Sequence, residues 1–357
     1  MKNKALIKIG PLFALALTAC GGKTYEVKDY MLELAWKDDY RILQLNDIHI
    51  GMKDDQTLQF DYLDKVINDE QANADLIVLN GDLFTFADRT TAKRLFSWMD
   101  EHKIYWTVTF GNHDEQAFFS IDWMTGYLNK LNDKRVEDEY KHKEEKRSYC
   151  VFKDIQDDDI MGNCNFTINL MKDGKVKEQV ILMDSNRYNF GQYEDYESYT
   201  GYDCIHDEQV KWYEDVVKYT KENNGGVTVP SVAFFHIPFP EFETAWEEAK
   251  KGGNPDIEVV IPQTDKSEYE GVAAPKVNTK LFDKMVELGS TNGVFCAHDH
   301  KNNYAIKYKG ITLSYGVNST DRVYWDEDLC GGQVNIIKDD GSIEMIQILN
   351  HTYEEVK

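Results

Sequence analysis

Beyond residue 24 the sequence has no apolar run long enough to cross a bilayer, which excludes a bundle of membrane-spanning helices. Basic charge is scarce: 40 Lys and Arg face 63 Asp and Glu, a formal net charge of -23. Such a surface repels polyanions at long range and makes nucleic acid an unlikely partner. Beyond Cys20 an even cysteine count is missing as well. Besides Cys20 there are five, Cys150, Cys164, Cys204, Cys296 and Cys330, and an odd number cannot all pair within one chain. Cys150 with Cys164 has the spacing to staple adjacent strands, but nothing demands it, and all five are expected as buried thiols. Their spacing also excludes a cysteine-rich structural zinc site. Neither internal repeats nor low-complexity tracts are visible.

What is present begins with Lys2, Lys4 and Lys8 and a short apolar run, the shape of a signal peptide over residues 1–19. Leu17, Thr18, Ala19 and Cys20 resemble a bacterial lipobox, and Gly21 and Gly22 suit a tether. The expectation is an extracytoplasmic protein held at the cell membrane by lipid on Cys20, with residues 20–38 as lipidated N-terminus and linker and 39–350 as one folded domain.

From about residue 40, short apolar runs alternate with helical patterns, which favours a layered α/β architecture. Strands are expected at 41–45, 76–79, 106–110, 149–153, 166–170, 180–183, 232–235 and 294–297, with a closing hairpin over 333–349. Helices are expected at 57–69, 90–101, 207–222 and near 278–288. The charged stretch 133–147 reads as a solvated insertion or exposed helix. Many of these strands end on polar clusters: Asp47 and His49, Asp82, the run Asn112-His113-Asp114, His236, then His298 and His300. Ligands gather outside the carboxyl ends of strands in open α/β sheets, so these clusters should converge.

Five of the nine histidines fall in those clusters beside three aspartates and an asparagine. Taken singly, Asp47 and Asp82 pass as helix caps, Asn112 as a turn residue, and His236 or His300 as a buried imidazole bonded to backbone. Taken together, hard oxygen donors mixed with imidazoles suit Mn, Fe or Zn ions. His102, His142, His206 and His351 lie outside the clusters and are expected at the surface.

In order and content the set resembles the calcineurin-like metallophosphoesterase superfamily, over roughly residues 40–320. The Phe235-His236-Ile237-Pro238 run, Gln209 with Trp212, and Asn302 after His300 look like its purple-acid-phosphatase-like branch. The resemblance implies a four-layer α/β/β/α sandwich, two mixed sheets flanked by helices. It implies two divalent metal ions, with Asp47, His49 and His300 on the first, Asn112, His236 and His298 on the second, and Asp82 bridging. It further implies hydrolysis of a small phosphomonoester by in-line attack of a hydroxide bridging the metals, with His113 as proton donor oriented by Asp114. Alternatives are a phosphodiesterase acting on a small or lipid-derived substrate, and a non-catalytic lipoprotein that binds metal or phosphate. Two positions depart from the pattern. Ala297 stands where the family has Gly, and Thr85 stands where true purple acid phosphatases carry a metal-binding Tyr. Asp184, Asn186, Tyr188 and the aromatic stretches 193–202 and 239–246 are candidate cleft residues, with packing the expected role for most.

Overall fold

The computed structural model describes residues 25–51, 56–155, 157, 159–191, 200–264, 270–321 and 323–349. The signal peptide, Cys20, the stretch 192–199 and His351 lie outside the described residues.

One sheet runs in the order β15 (Ile343–Leu349), β14 (Gly331–Ile337), β2 (Tyr40–Leu45), β3 (Leu76–Asn80), β4 (Tyr105–Thr109). Its last three strands are parallel, and β14 is antiparallel to both of its neighbours. β3 is buried along its whole length, as a strand covered on both faces must be, which explains its unbroken apolar run. The second sheet runs β1 (Met31–Ala35), β5 (Phe166–Lys172), β6 (Lys175–Leu182), β9 (Ser231–Phe234), β11 (Thr291–Cys296), β13 (Ile311–Tyr315), β12 (Ala305–Tyr308), β10 (Ile257–Ile261), again mixed. A separate hairpin joins β7 (Tyr188–Phe190) to β8 (Thr200–Tyr202).

Side-chain alternation sorts the layers. On β9, Val232 and Phe234 enter a core shared with the first sheet and with α1 (Gln56–Ile67), α2 (Arg89–Glu101) and α3 (Ile121–Tyr140). Ala233 instead faces the core beneath α4 (Asp207–Asn223), α5 (Glu241–Lys251) and α6 (Leu281–Leu288). The result is the expected α/β/β/α sandwich. Amide side chains tie the two sheets together: Gln44 Nε2 donates to the Cys296 carbonyl (3.0 Å), and Asn80 Nδ2 to those of Phe235 and Phe295 (3.3 and 3.2 Å). These bonds bring the carboxyl ends of β3, β9 and β11 to one place.

Several expectations change. Within the expected linker, residues 27–30 form a short 3-10 turn and 31–35 an edge strand, because Tyr30 packs against Trp212 and β1 pairs with β5. The stretch 149–153 is not a strand; it makes one bridge, Trp106 to Cys150, beside β4. The charged stretch 133–147 begins inside α3, where Arg135 and Asp138 are buried, and Arg135 Nε donates to the Cys150 carbonyl (3.0 Å). On α4 the buried face includes Trp212, Tyr213, Val216 and Val217, whereas Val210 and Tyr219 are only half-buried. All five cysteines are buried free thiols, so Cys150 and Cys164 are not bridged. Among the described residues no helix is long and apolar enough to cross a membrane.

Candidate metal centre

At three of the strand ends the donors sit on backbone that a regular element cannot supply. Asp47, His49, Asp82 and His298 all have left-handed backbone, with φ of 53°, 49°, 51° and 78°. Four non-glycine residues in this sparsely allowed region concentrate strain at one site, which the sheet ends then hold in place. Asp47 N donates to the Gly81 carbonyl (3.3 Å), His49 N to that of Asp82 (2.9 Å), and His298 N to Asp47 Oδ2 (3.3 Å). Gly81 has φ +85°, and a Cβ there would lie 2.4 Å from His236 Nδ1, so only glycine fits. Ala297 has no positive φ, so its methyl group meets no backbone penalty where the family carries Gly.

The convergence expected from the sequence is observed. Donor atoms of Asp47, His49 and His300 lie within 4.8 Å of one another, and so do those of Asp82, His236 and His298. Asp82 faces both groups: its Oδ2 is 3.6 Å from His49 Nε2 and 3.2 Å from His236 Nε2. Asp47 Oδ1 lies 3.4 Å from His300 Nε2 and 3.8 Å from His236 Nε2. Asn112 is 2 % exposed and its Oδ1 has no hydrogen-bond partner.

A divalent cation fits this set. Asp47 Oδ1, Asn112 Oδ1 and the Nε2 atoms of His49, His236 and His298 are all buried without a hydrogen-bond partner, an arrangement that costs free energy unless a cation meets them. The other face of several donors is already committed. His236 Nδ1 bonds the Asn80 carbonyl (3.0 Å), His300 Nδ1 that of Tyr324 (2.7 Å), and His49 Nδ1 the Thr85 hydroxyl (2.7 Å). Such bonds turn each Nε2 toward the centre. Thr85, the position lacking the purple-acid-phosphatase Tyr, thus orients a candidate ligand instead. The electrostatics agree. Burial pushes His298 down to about 3 and His49 to about 4, leaving neutral nitrogens with lone pairs to donate. Burial alone would lower His236 too, but the negative charges of Asp82 and Asp47 beside it raise it to about 10, a sign of how strongly these carboxylates demand a cation.

His113 lies beside this centre, its ring 5.3 Å from that of His49 and its backbone N donating to Asp82 Oδ1 (2.7 Å). The expected pairing with Asp114 is absent. Asp114 accepts from the backbone N–H groups of Leu83, Phe84 and Gly111 (2.8, 3.1 and 2.8 Å), so it fixes the loops, while His113 Nδ1 has no partner. Two adjacent residues on a tight turn point apart, and a dipeptide read in sequence conceals that.

Of the candidate cleft residues, Asp184 and Asn186 are buried in backbone and amide bonds, and Phe242 is core. Tyr188 and Tyr202 are different: Asn112 Nδ2 donates to Tyr188 Oη (2.8 Å), and the Tyr202 ring meets the His298 ring edge-on at 4.4 Å. Tyr324, stacked on His300 at 4.3 Å, gave no sequence signal, since a contact between residues 24 apart, with two strands between them, has no periodicity. His206, expected at the surface, is buried and bonded to Asp203 (3.0 Å) at the start of α4, and with Cys204 these form a third close trio of donor atoms.

Comparison with known proteins agrees with the geometry. The chain is 28% identical over 270 residues to probable inactive purple acid phosphatase 29 of Arabidopsis thaliana, covering 71% of this chain and 61% of that protein. It is 25% identical over 347 residues to probable inactive purple acid phosphatase 14 of the same plant, covering 88% and 80%. To phosphatase DCR2 of Saccharomyces cerevisiae it is 26% identical over 309 residues, covering 78% and 47%. The chain therefore spans less than two thirds of the first of these relatives and about half of the last. The sequence model of one family, calcineurin-like phosphoesterase, matches residues 40–302, the span that carries all nine candidate site residues, and the chain belongs to that family.

Proposed function

We propose that this protein is a metal-dependent phosphoesterase that hydrolyses small phosphomonoesters, with two divalent ions, Mn, Fe or Zn, as cofactors. Asp47, His49 and His300 would hold one ion, and Asn112, His236 and His298 the other. The observation that carries the reading is the position of Asp82, whose one carboxylate oxygen faces an imidazole of each group. When bound, a pair of ions supplies an activated water and offsets charge on the phosphoryl oxygens. The chain's own residues do the rest. His113, held by its backbone to Asp82, offers an imidazole to the leaving oxygen, and Asp114 keeps the loop that presents it rigid. The net charge of -23 favours small substrates over long polyanions.

The names of the plant relatives favour a second reading, a metal binder without turnover. One experiment separates the two. Chelator-stripped protein reloaded with Mn, Fe or Zn is expected to hydrolyse a chromogenic phosphomonoester, with turnover rising in step with the second equivalent of metal. Protein that takes up two ions and turns over none of a panel of mono- and diesters would leave the binder reading standing.

Export and a lipid anchor on Cys20 belong to the same proposal, supported by the basic and apolar leader before it. Replacing the thiol removes the atom that would carry the lipid. Cys20→Ser is expected to move the expressed protein from the detergent phase to the aqueous phase, and unchanged partitioning would rule the anchor out.

A further inference from the structure

Among the candidate donors, Asn112 has a distinctive difficulty. A histidine or carboxylate meets a cation with any donor atom it presents, but an amide offers an acceptor oxygen on one side and an NH2 donor on the other. Rotation by half a turn exchanges them with almost no change in shape. Only the oxygen binds metal. Something must therefore decide which way the amide faces.

The cation makes that choice, and we propose that Tyr188 holds the amide for it: its hydroxyl accepts from Asn112 Nδ2, with Oδ1 turned toward the second ion. The inference rests on the two-ion reading above. Its geometry is specific. The Nδ2 to Oη distance is 2.8 Å, and Asn112 Oδ1, on the opposite side of the amide, is buried with no partner. With the amide turned over, the same hydroxyl could donate to Oδ1, but NH2 would then face the cation, so the hydroxyl holds the amide in place while the cation keeps Oδ1 inward. Tyr188 is itself placed by the β7–β8 hairpin, opposite Tyr202 in register, with the two rings 5.5 Å apart and nearly parallel. Tyr202 in turn packs edge-on against His298. This hairpin, separate from both large sheets, thus rests on two of the candidate donors to the second ion.

Tyr188→Phe keeps the ring stack and removes the hydroxyl. Metal-free full-length protein is titrated with Co2+, followed by calorimetry and visible absorption. Wild-type protein is expected to take up two ions. Tyr188→Phe should bind the first with unchanged affinity and the second about 10- to 100-fold more weakly, the usual cost of losing a residue that orients a ligand. The control is Asn112→Ala, because with no side-chain amide to hold, the hydroxyl has nothing to act through. Adding Tyr188→Phe to that variant should cost the second ion nothing further, so the two substitutions should couple strongly. Unchanged second-ion affinity in Tyr188→Phe, equal weakening of both ions, or the same weakening in the Asn112→Ala background would each overturn the role of Tyr188 alone. Wild-type protein that takes up fewer than two ions would overturn the two-ion reading itself, and this inference with it.

Discussion

Asp82→Asn is expected to reduce bound metal from two ions to fewer than one per chain and to lower turnover by about 10²- to 10³-fold or more. The carboxylate has two separate tasks. Oδ1 accepts the backbone N–H of His113, and Oδ2 faces both histidine groups. Asparagine can perform one task with its oxygen, but it then turns an NH2 group toward the other. It also removes the charge that holds His236 high and that an ion shared between two groups requires. Asparagine tolerates left-handed backbone better than most residues, so the φ of 51° is kept and the fold survives. Because Asp82 and His236 pair in the metal-free protein, removing the charge leaves His236 without its partner, and the metal-free variant should melt lower than metal-free wild type. Elemental analysis and a thermal melt check both halves. Full occupancy by two ions in the variant would remove Asp82 from the centre of the proposal.

His113→Ala is expected to do the opposite: metal content stays at two while turnover of alkyl phosphates falls about 10²- to 10⁴-fold. The contact that His113 makes with Asp82 runs through its backbone N, which alanine retains. The imidazole is therefore removed without loosening the carboxylate. Its absence matters only where the leaving oxygen needs a proton as the P–O bond breaks. Phenolates leave unaided, so aryl phosphates should lose much less than alkyl phosphates. Initial rates on a series of esters graded by leaving-group pKa give the answer. Equal losses across the series at full metal occupancy would replace the proton-donor role with one in positioning.

The pattern of apolar runs made most of the large elements legible. Leu76–Asn80 and Ser231–Phe234 are buried on both faces, and continuous burial leaves an uninterrupted hydrophobic signature. The edge strand Met31–Ala35 carried no such signature. Its burial is partial and its place depends on pairing with a strand more than 130 residues away. The stretch 149–153 failed in the other direction: an apolar composition that suits a strand also suits a single bridge laid along β4. Helix Glu241–Lys251 was hidden because its aromatic residues read equally well as a cleft lining.

The candidate site divides along the same physical line. By itself the sequence determined which residue types stand at the strand ends, and hence the donors, their order and the resemblance to a family. Those positions are local: a short polar cluster after an apolar strand is complete within a few residues. Only the tertiary structure decided how each donor is aimed. Thr85, Asn80, Tyr324 and Tyr188 orient His49, His236, His300 and Asn112, all but Tyr324 across 36 residues of chain or more. It also decided that Asp114 turns away from His113, its immediate neighbour. Hydrogen-bond direction depends on the backbone angles of both partners and on what each one's remaining donors and acceptors meet, and that information arises only when distant strand ends pack together.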